Sequence, residues 1–235
     1  MRPTGERDER LRRIADALGD GDPASLIDRL CPVCVDLVGM TGAGVTVRGP
    51  HLASSLCASG PVAALLDDLS LSLGEGPALD AHAGGVPVAE PDLANPITPR
   101  WPIFRPQAVE AGAEAMFAFP LRVGAVRLGS LMIYRDRPGL LSDAQYRDAL
   151  AMSGVAMDLV LESQAQAASG GLGMGLQALS GSRAEVHQAA GMASVQAGVS
   201  VAEALLLLRA RAYSDERPLM DVARDVVTRR LRFAE

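Results

Sequence analysis

The sequence predicts two folding units in series. The first is an α+β unit, an antiparallel sheet flanked by helices. The second is an all-α three-helix bundle. Three observations lead there. From residue 22 to about 168, short apolar runs bounded by Gly and Pro alternate with helical patterns. A glycine-rich stretch, "SGGLGMGLQALSG", then interrupts the pattern at 169–181. Beyond it, three short segments carry helix-start signals and 3.6-residue apolar spacing. The expected division is an N-terminal helix at 1–21, an α+β domain at 22–168, a linker at 169–181 and the helical bundle at 182–235.

The first helix is charged, around 5–18. The second starts with Asp22 as N-cap and Pro23 at N1, and runs to about Gly39. "GAGVTVRGPHLASSLCAS" reads as two short strands about a Gly-Pro turn. "PVAALLDDLSLSLGEGPALDAHAGG" is helical with a break at 74–77. "VPVAEPDLANPITPR" is a strand and a proline-punctuated loop, and "WPIFRPQAVEAG" a helix. "EAMFAFPLRVGAVRLGSLMIYRD" supplies two more strands around Gly124. A long helix follows from Ser142, whose "SDAQ" is a capping-box pattern, to about Ala168. On that helix Leu150, Val155, Leu159 and Val160 can serve the sheet, which leaves Tyr146, Met157 and Leu161 for a partner. A homodimer is therefore expected.

Capping boxes at Ser182–Glu185 and Ser200–Glu203 open the first two helices of the bundle. Gly198 suits a left-handed cap between them. Val201, Ala204, Leu205, Leu208 and Ala212 share one face of the second. Pro218 fits N1 of the third, with a stripe of Leu219, Val222, Ala223 and Val226. Ala189, Ala204 and Ala223 let the axes approach closely in so small a core.

Hydrophobic residues make up 49% of the 235 and charged residues 21%, as in globular proteins. No apolar run is long enough to span a membrane, and the charged N-terminus lacks a signal-peptide core. The chain is expected in the cytoplasm, with no membrane partner. All 22 basic residues are Arg, and the net charge of −6 argues against general nucleic-acid binding. The charge is uneven: residues 1–175 hold 14 Arg against 21 acids, residues 176–235 hold 8 against 7. Any polyanion surface belongs at the C-terminal end. Three cysteines, Cys31, Cys34 and Cys57, are an odd count that does not suggest a disulfide framework. Cys31 and Cys34 lie in "LIDRLCPVCVDLVG" as small buried apolar residues, with no second pair at zinc spacing. Cys57 is a candidate thiol sensor or chromophore anchor.

"HQAAGMASVQAGVSVAEALLLLRARAYSDERPLMDVARDVV" resembles the ANTAR domain, a three-helix RNA-binding output module of bacterial antitermination regulators. The motifs are Gln-Ala-x-Gly-Met, Gly-Val-Ser-x-x-Glu-Ala, Leu-Leu-Arg and Leu-x-Asp-Val-Ala, in that order. Residues 22 to about 165 resemble a GAF domain through "GEGPALDAHAGGVPVAEPDLA" and the paired strands "FPLRVGAVRLGSLMIY". Together they resemble actinobacterial GAF–ANTAR regulators. The resemblance implies a dimer that senses a signal and binds paired RNA stem-loops in nascent transcripts, so preventing a terminator hairpin.

The family's basic positions are Ala190, Pro218 and Met220 here, and the second Arg of its Arg-Arg pair is Ala210, with Arg211 beside it. The remaining candidates for RNA binding are Arg183, His187, Arg209, Arg211, Arg217 and Arg224. Arg229, Arg230 and Arg232 are explained by a helix C-terminus, which favours cations. A GAF pocket for an unidentified small molecule would use Trp101, Phe104, Phe117 and Phe119. No cofactor is implied. The three histidines are scattered, Asp80 and His82 lack a nucleophile, and "LGEGPA" lacks the Lys-Ser/Thr of a phosphate loop, so no enzyme is expected. A second reading stays open: a sensor or scaffold whose bundle dimerises or docks protein without binding RNA.

Overall fold

A computed structural model describes residues 3–48, 53–96, 98–168, 181–215 and 217–233. Most of the linker predicted at 169–181 lies outside these residues. The chain divides into two compact units, Met1–Val47 with Ser55–Gly175, and Arg48–Ser54 with Leu176–Glu235.

Unit 1 opens with α1 (Pro3–Leu18) and α2 (Pro23–Val38). Ile14 and Leu18 bury one side of α1, which packs on α2 and on the long helix. Asp22 caps α2 by accepting the Ser25 N–H at 2.8 Å, and Gly39 ends it in the left-handed conformation. The strands are β1 (Gly42–Arg48), β2 (Ala53–Ala58), β3 (Val88–Glu90), β4 (Ala115–Val123) and β5 (Val126–Arg135). Their order is β2-β1-β5-β4-β3. The pairs β1/β5, β5/β4 and β4/β3 are antiparallel. Gly129 sits where β5 lies against β1, and a Cβ there would overlap the Thr46 carbonyl. Between β2 and β4 come α3 (Pro61–Leu73), α4 (Pro77–Gly84) and α5 (Phe104–Glu110). The long helix α6 (Asp143–Ala168) closes the unit. Its capping box is formed, with Gln145 N–H donating to Ser142 Oγ at 3.2 Å and Ser142 N–H to Gln145 Oε1 at 3.0 Å.

Side chains alternate along β4. Met116 and Ala118 join Met132, Tyr134, Leu66 and Phe104 in the core under α3–α5. Phe117 and Phe119 face the other way, toward α6, where the Phe119 and Tyr146 rings lie 5.4 Å apart.

Two expectations are corrected. Cys31, in the middle of α2, is bonded to Cys57 on β2, with Cα atoms 5.9 Å apart. Cys57 is therefore no free thiol. Cys34 is free and buried, and burial pushes its thiol up to about 12, so it stays protonated and inert at neutral pH. On α6 Leu159 and Val160 are buried and Tyr146 and Leu161 exposed as expected, but two positions are exchanged. Met157 is buried, whereas Leu150 is 47% exposed. The exposed row is Leu150, Gly154 and Leu161, with Arg147 and Asp158 beside it.

Unit 2 holds α7 (Gly181–Ala197), α8 (Val201–Ser214) and α9 (Leu219–Val227). The Ser182 capping box involves side chains outside the described set. Gly198 has φ 66° and ends α7 as expected. Ser200 and Glu203 form their reciprocal box at the start of α8. Pro218 stands at the N-cap of α9 and not at N1. The core is Val186, Ala189, Ala190, Leu208, Ala212, Leu219, Val222, Ala223 and Val226. The stripes of α8 and α9 are as expected, except that Val201 is exposed.

Candidate functional site

In unit 1 the break between α3 and α4 delivers Glu75 to the start of α5. One carboxylate oxygen accepts the N–H groups of Ile103 and Phe104, each at 3.2 Å, and so caps that short helix. Sequence reasoning assigned Glu75 no role; a lone acid in a Gly-rich break is the signal that could have suggested one. Trp101 precedes α5 with φ 52°, an uncommon conformation for a residue with a Cβ. Its indole N–H donates to Asp80 Oδ2 at 3.0 Å. The Arg100 guanidinium lies 4.4 Å from the ring centroid and 3.6 Å from Asp80. This cluster pins the loop onto α4.

The four aromatics expected to line one pocket do not converge. Trp101 and Phe104 fill the core beneath α3–α5, while Phe117 and Phe119 fill the opposite face. All four are buried. β4 alternates, so a shared cavity would need residues from a single parity.

The arginines of unit 2 separate into two groups. Arg211 binds Asp215 at 2.7 Å. Arg217 binds Asp225 at 2.7 Å, and Arg230 reaches the same carboxylate at 3.6 Å. The Arg217 hydrogen bond holds the Asp225 carboxyl below the usual range, and the reciprocal bond raises the guanidinium. Arg224 lies 3.4 Å from Glu185 and 3.6 Å from Asp221. Arg209 is half-buried, which lowers its pKa by desolvation, and its Nε has no hydrogen-bond partner. The Arg183 side chain lies outside the described residues. His187 is half-buried on α7. Of the neighbouring candidates Arg209 and Arg211, the first is therefore half-buried and the second ion-paired. Ala190, where the resemblance expects a cation, is buried in the core.

Arg229 and Arg232 have no carboxylate partner among the described residues. Both line a groove of about 570 Å³ against α7. The sequence reading set them aside as an ordinary helix end.

No protein-family model matches the sequence, and no curated protein matches it. Solved structures do. The GAF domain of a phosphoenolpyruvate-protein phosphotransferase from Coxiella burnetii is similar over 71% of this chain and 99% of its own, at TM-score 0.55 and 10% identity. Unit 1 has the GAF fold. A second GAF domain, from an Acinetobacter phosphoenolpyruvate-protein phosphotransferase, is similar over 70% of this chain and 97% of its own, at TM-score 0.50 and 11% identity. At such identities the likeness speaks for the fold alone. Among the described residues no single helix is long and apolar enough to cross a membrane.

Proposed function

We propose that the chain is a signal-responsive, non-enzymatic regulator in which the GAF unit senses and the C-terminal bundle binds RNA stem-loops, acting by transcription antitermination. One observation carries the reading. Residues behind the ANTAR resemblance are the ones that build the bundle: Ala189, Leu208, Val222 and Ala223 are in its core, and the Gly-Val-Ser turn holds its capping box. The protein acts as a homodimer, placing two bundles on two stem-loops. The exposed row of α6 suits a second copy. Leu150 and Leu161 flank Gly154, and Arg147 of one copy can meet Asp158 of an antiparallel partner; neither has an ionic partner of its own among the described residues.

The ion pairs of Arg211, Arg217 and Arg224 favour a second reading, a bundle that docks protein without RNA. Cellular RNA recovered with the purified full chain decides between them. The expected product is a transcript with two stem-loops, bound to a protein dimer in sedimentation. Recovery of no enriched RNA would transfer the case to the docking bundle.

A further inference from the structure

We propose that the groove between α7 and the C-terminal turn is the RNA-contacting site, with Arg229 and Arg232 on phosphates and the α7 wall receiving an unstacked base. The inference rests on the RNA-binding reading above and moves its contact surface away from Arg209 and Arg211.

Charge is the first argument. Four described arginines of the bundle, Arg211, Arg217, Arg224 and Arg230, are committed to carboxylates. Arg209 is half-buried. Arg229 and Arg232 are exposed, have no carboxylate partner among the described residues, and line the same groove. No lining residue is acidic. An unneutralised guanidinium pair beside a concave surface suits phosphate.

The chemistry of the wall is the second. Gln188 carries an amide that both donates and accepts, as a base edge requires, and Gln196 offers its amide N–H groups beside it. Met192 and Val195 are apolar, and Val195 is 84% exposed with no packing duty in the bundle. Single-stranded RNA loops are bound through such combinations of apolar contact, base-edge hydrogen bonds and phosphate charge. Gln188, Gly191 and Met192 all belong to the Gln-Ala-x-Gly-Met motif.

Backbone choices are the third. Gly191 lies inside α7, where Gly weakens a helix. A Cβ there would meet nothing within 4 Å, so packing does not demand it. Its effect is to leave the groove floor open. Arg229 has φ 61°, at the turn after α9 where Gly is the less strained residue. Strain held at a charged, groove-lining residue is a mark of function over stability. The Phe233 N–H donates to Gln196 Oε1 at 2.9 Å and ties the tail to α7, which fixes the two walls.

The test uses the full chain and the stem-loop RNA recovered by the pull-down. Arg229→Gly with Arg232→Ala should flatten the slope of log affinity against log salt by about 1.5 and weaken binding about tenfold or more at low salt. The melting temperature of the bundle should hold or rise, because Gly fits the turn; a merely structural role would lower it. Val195→Glu should weaken binding by like-charge repulsion without touching the core. Arg209→Ala with Arg211→Ala should leave the salt slope unchanged. Wild-type affinity and slope in the Arg229/Arg232 variant, with RNA still bound, would overturn the groove and spare the RNA reading. Loss of slope only in the Arg209/Arg211 variant would do the same. If wild type binds no RNA at low salt, both fall.

Discussion

The GAF unit and the helical bundle reach stability by different routes. The GAF unit buries large side chains on both faces of a five-stranded sheet, among them Phe104, Phe119, Ile133 and Met152, and adds a covalent link from α2 to β2. The bundle buries mainly Ala and Val, with Leu208 and Leu219 the largest fully core residues. Small side chains remove little apolar area from water but let helices approach closely. The bundle therefore depends on fit at the centre and on caps and charges at its ends. The sheet unit depends on volume, and its ends matter less.

The largest effect follows from that contrast. Leu208→Ala should cost about 2–5 kcal/mol, as much as a core of this size supplies in total. The bundle should lose its cooperative unfolding transition while the GAF unit keeps its own. Calorimetry of the full chain measures both. A bundle transition that survives nearly unshifted would show that the core is not the source of its stability.

The disulfide comes next. It closes a loop with a sequence separation of 26, for which the chain-entropy model gives about 3.5 kcal/mol. Cys57→Ser should lower the GAF unit's melting temperature by roughly 7–14 °C and leave the bundle where it was. Dithiothreitol should reproduce the shift in wild type and do nothing further to the variant. Equal melting of oxidised and reduced wild type would deny the bond a stabilising role.

How much of this could be read in advance depended on the range of the interaction. Local signals were legible. Asp22, Ser142 and Ser200 announced their helices through contacts three residues long, and each forms its cap. The β4–β5 turn followed from Gly124 between two apolar runs. The Cys31–Cys57 bond was not legible, because it needs α2 to lie over β2, a matter of tertiary packing. An odd cysteine count pointed the other way. On α6 the expectation failed similarly at Leu150 and Met157. Apolar residues occur on several of its faces, so contact with the sheet and with α1 and α2 selects Met157 for burial and leaves Leu150 out. For the aromatics, parity along β4 placed Phe117 and Phe119 together, but nothing local told which face the Trp101 loop would cover. The Arg217–Asp225 pair spans a turn and eight residues, beyond any helical spacing rule. That pair sets a carboxylate against one of the cations expected to meet RNA.

The smallest expected effect is the acid response, and it too separates the units. In the bundle, Glu203 is lowered by its hydrogen bonds with Ser200, and Asp225 by its bond to Arg217. In the GAF unit Asp22 is lowered by the Ser25 N–H. The folded values lie below those of the unfolded chain. Each group's stabilisation is therefore complete above the ordinary carboxylate range and is lost as pH falls through the lowered value. Asp22 and Glu203 are solvent-exposed and Asp225 is partly so, so the shifts in melting temperature should be small and should shrink in salt. Their consequence should still be uneven. The bundle relies on Glu203 at the only described capping box of α8 and on Asp225 as the shared partner of Arg217 and Arg230. Between about pH 5 and pH 2.5 its transition should fall further than that attributable to Asp22 in the GAF unit. Glu203→Gln keeps a side chain that can complete the box but does not titrate in this range, so it should flatten part of the bundle's acid slope. A bundle slope unchanged by this substitution would place the acid sensitivity elsewhere.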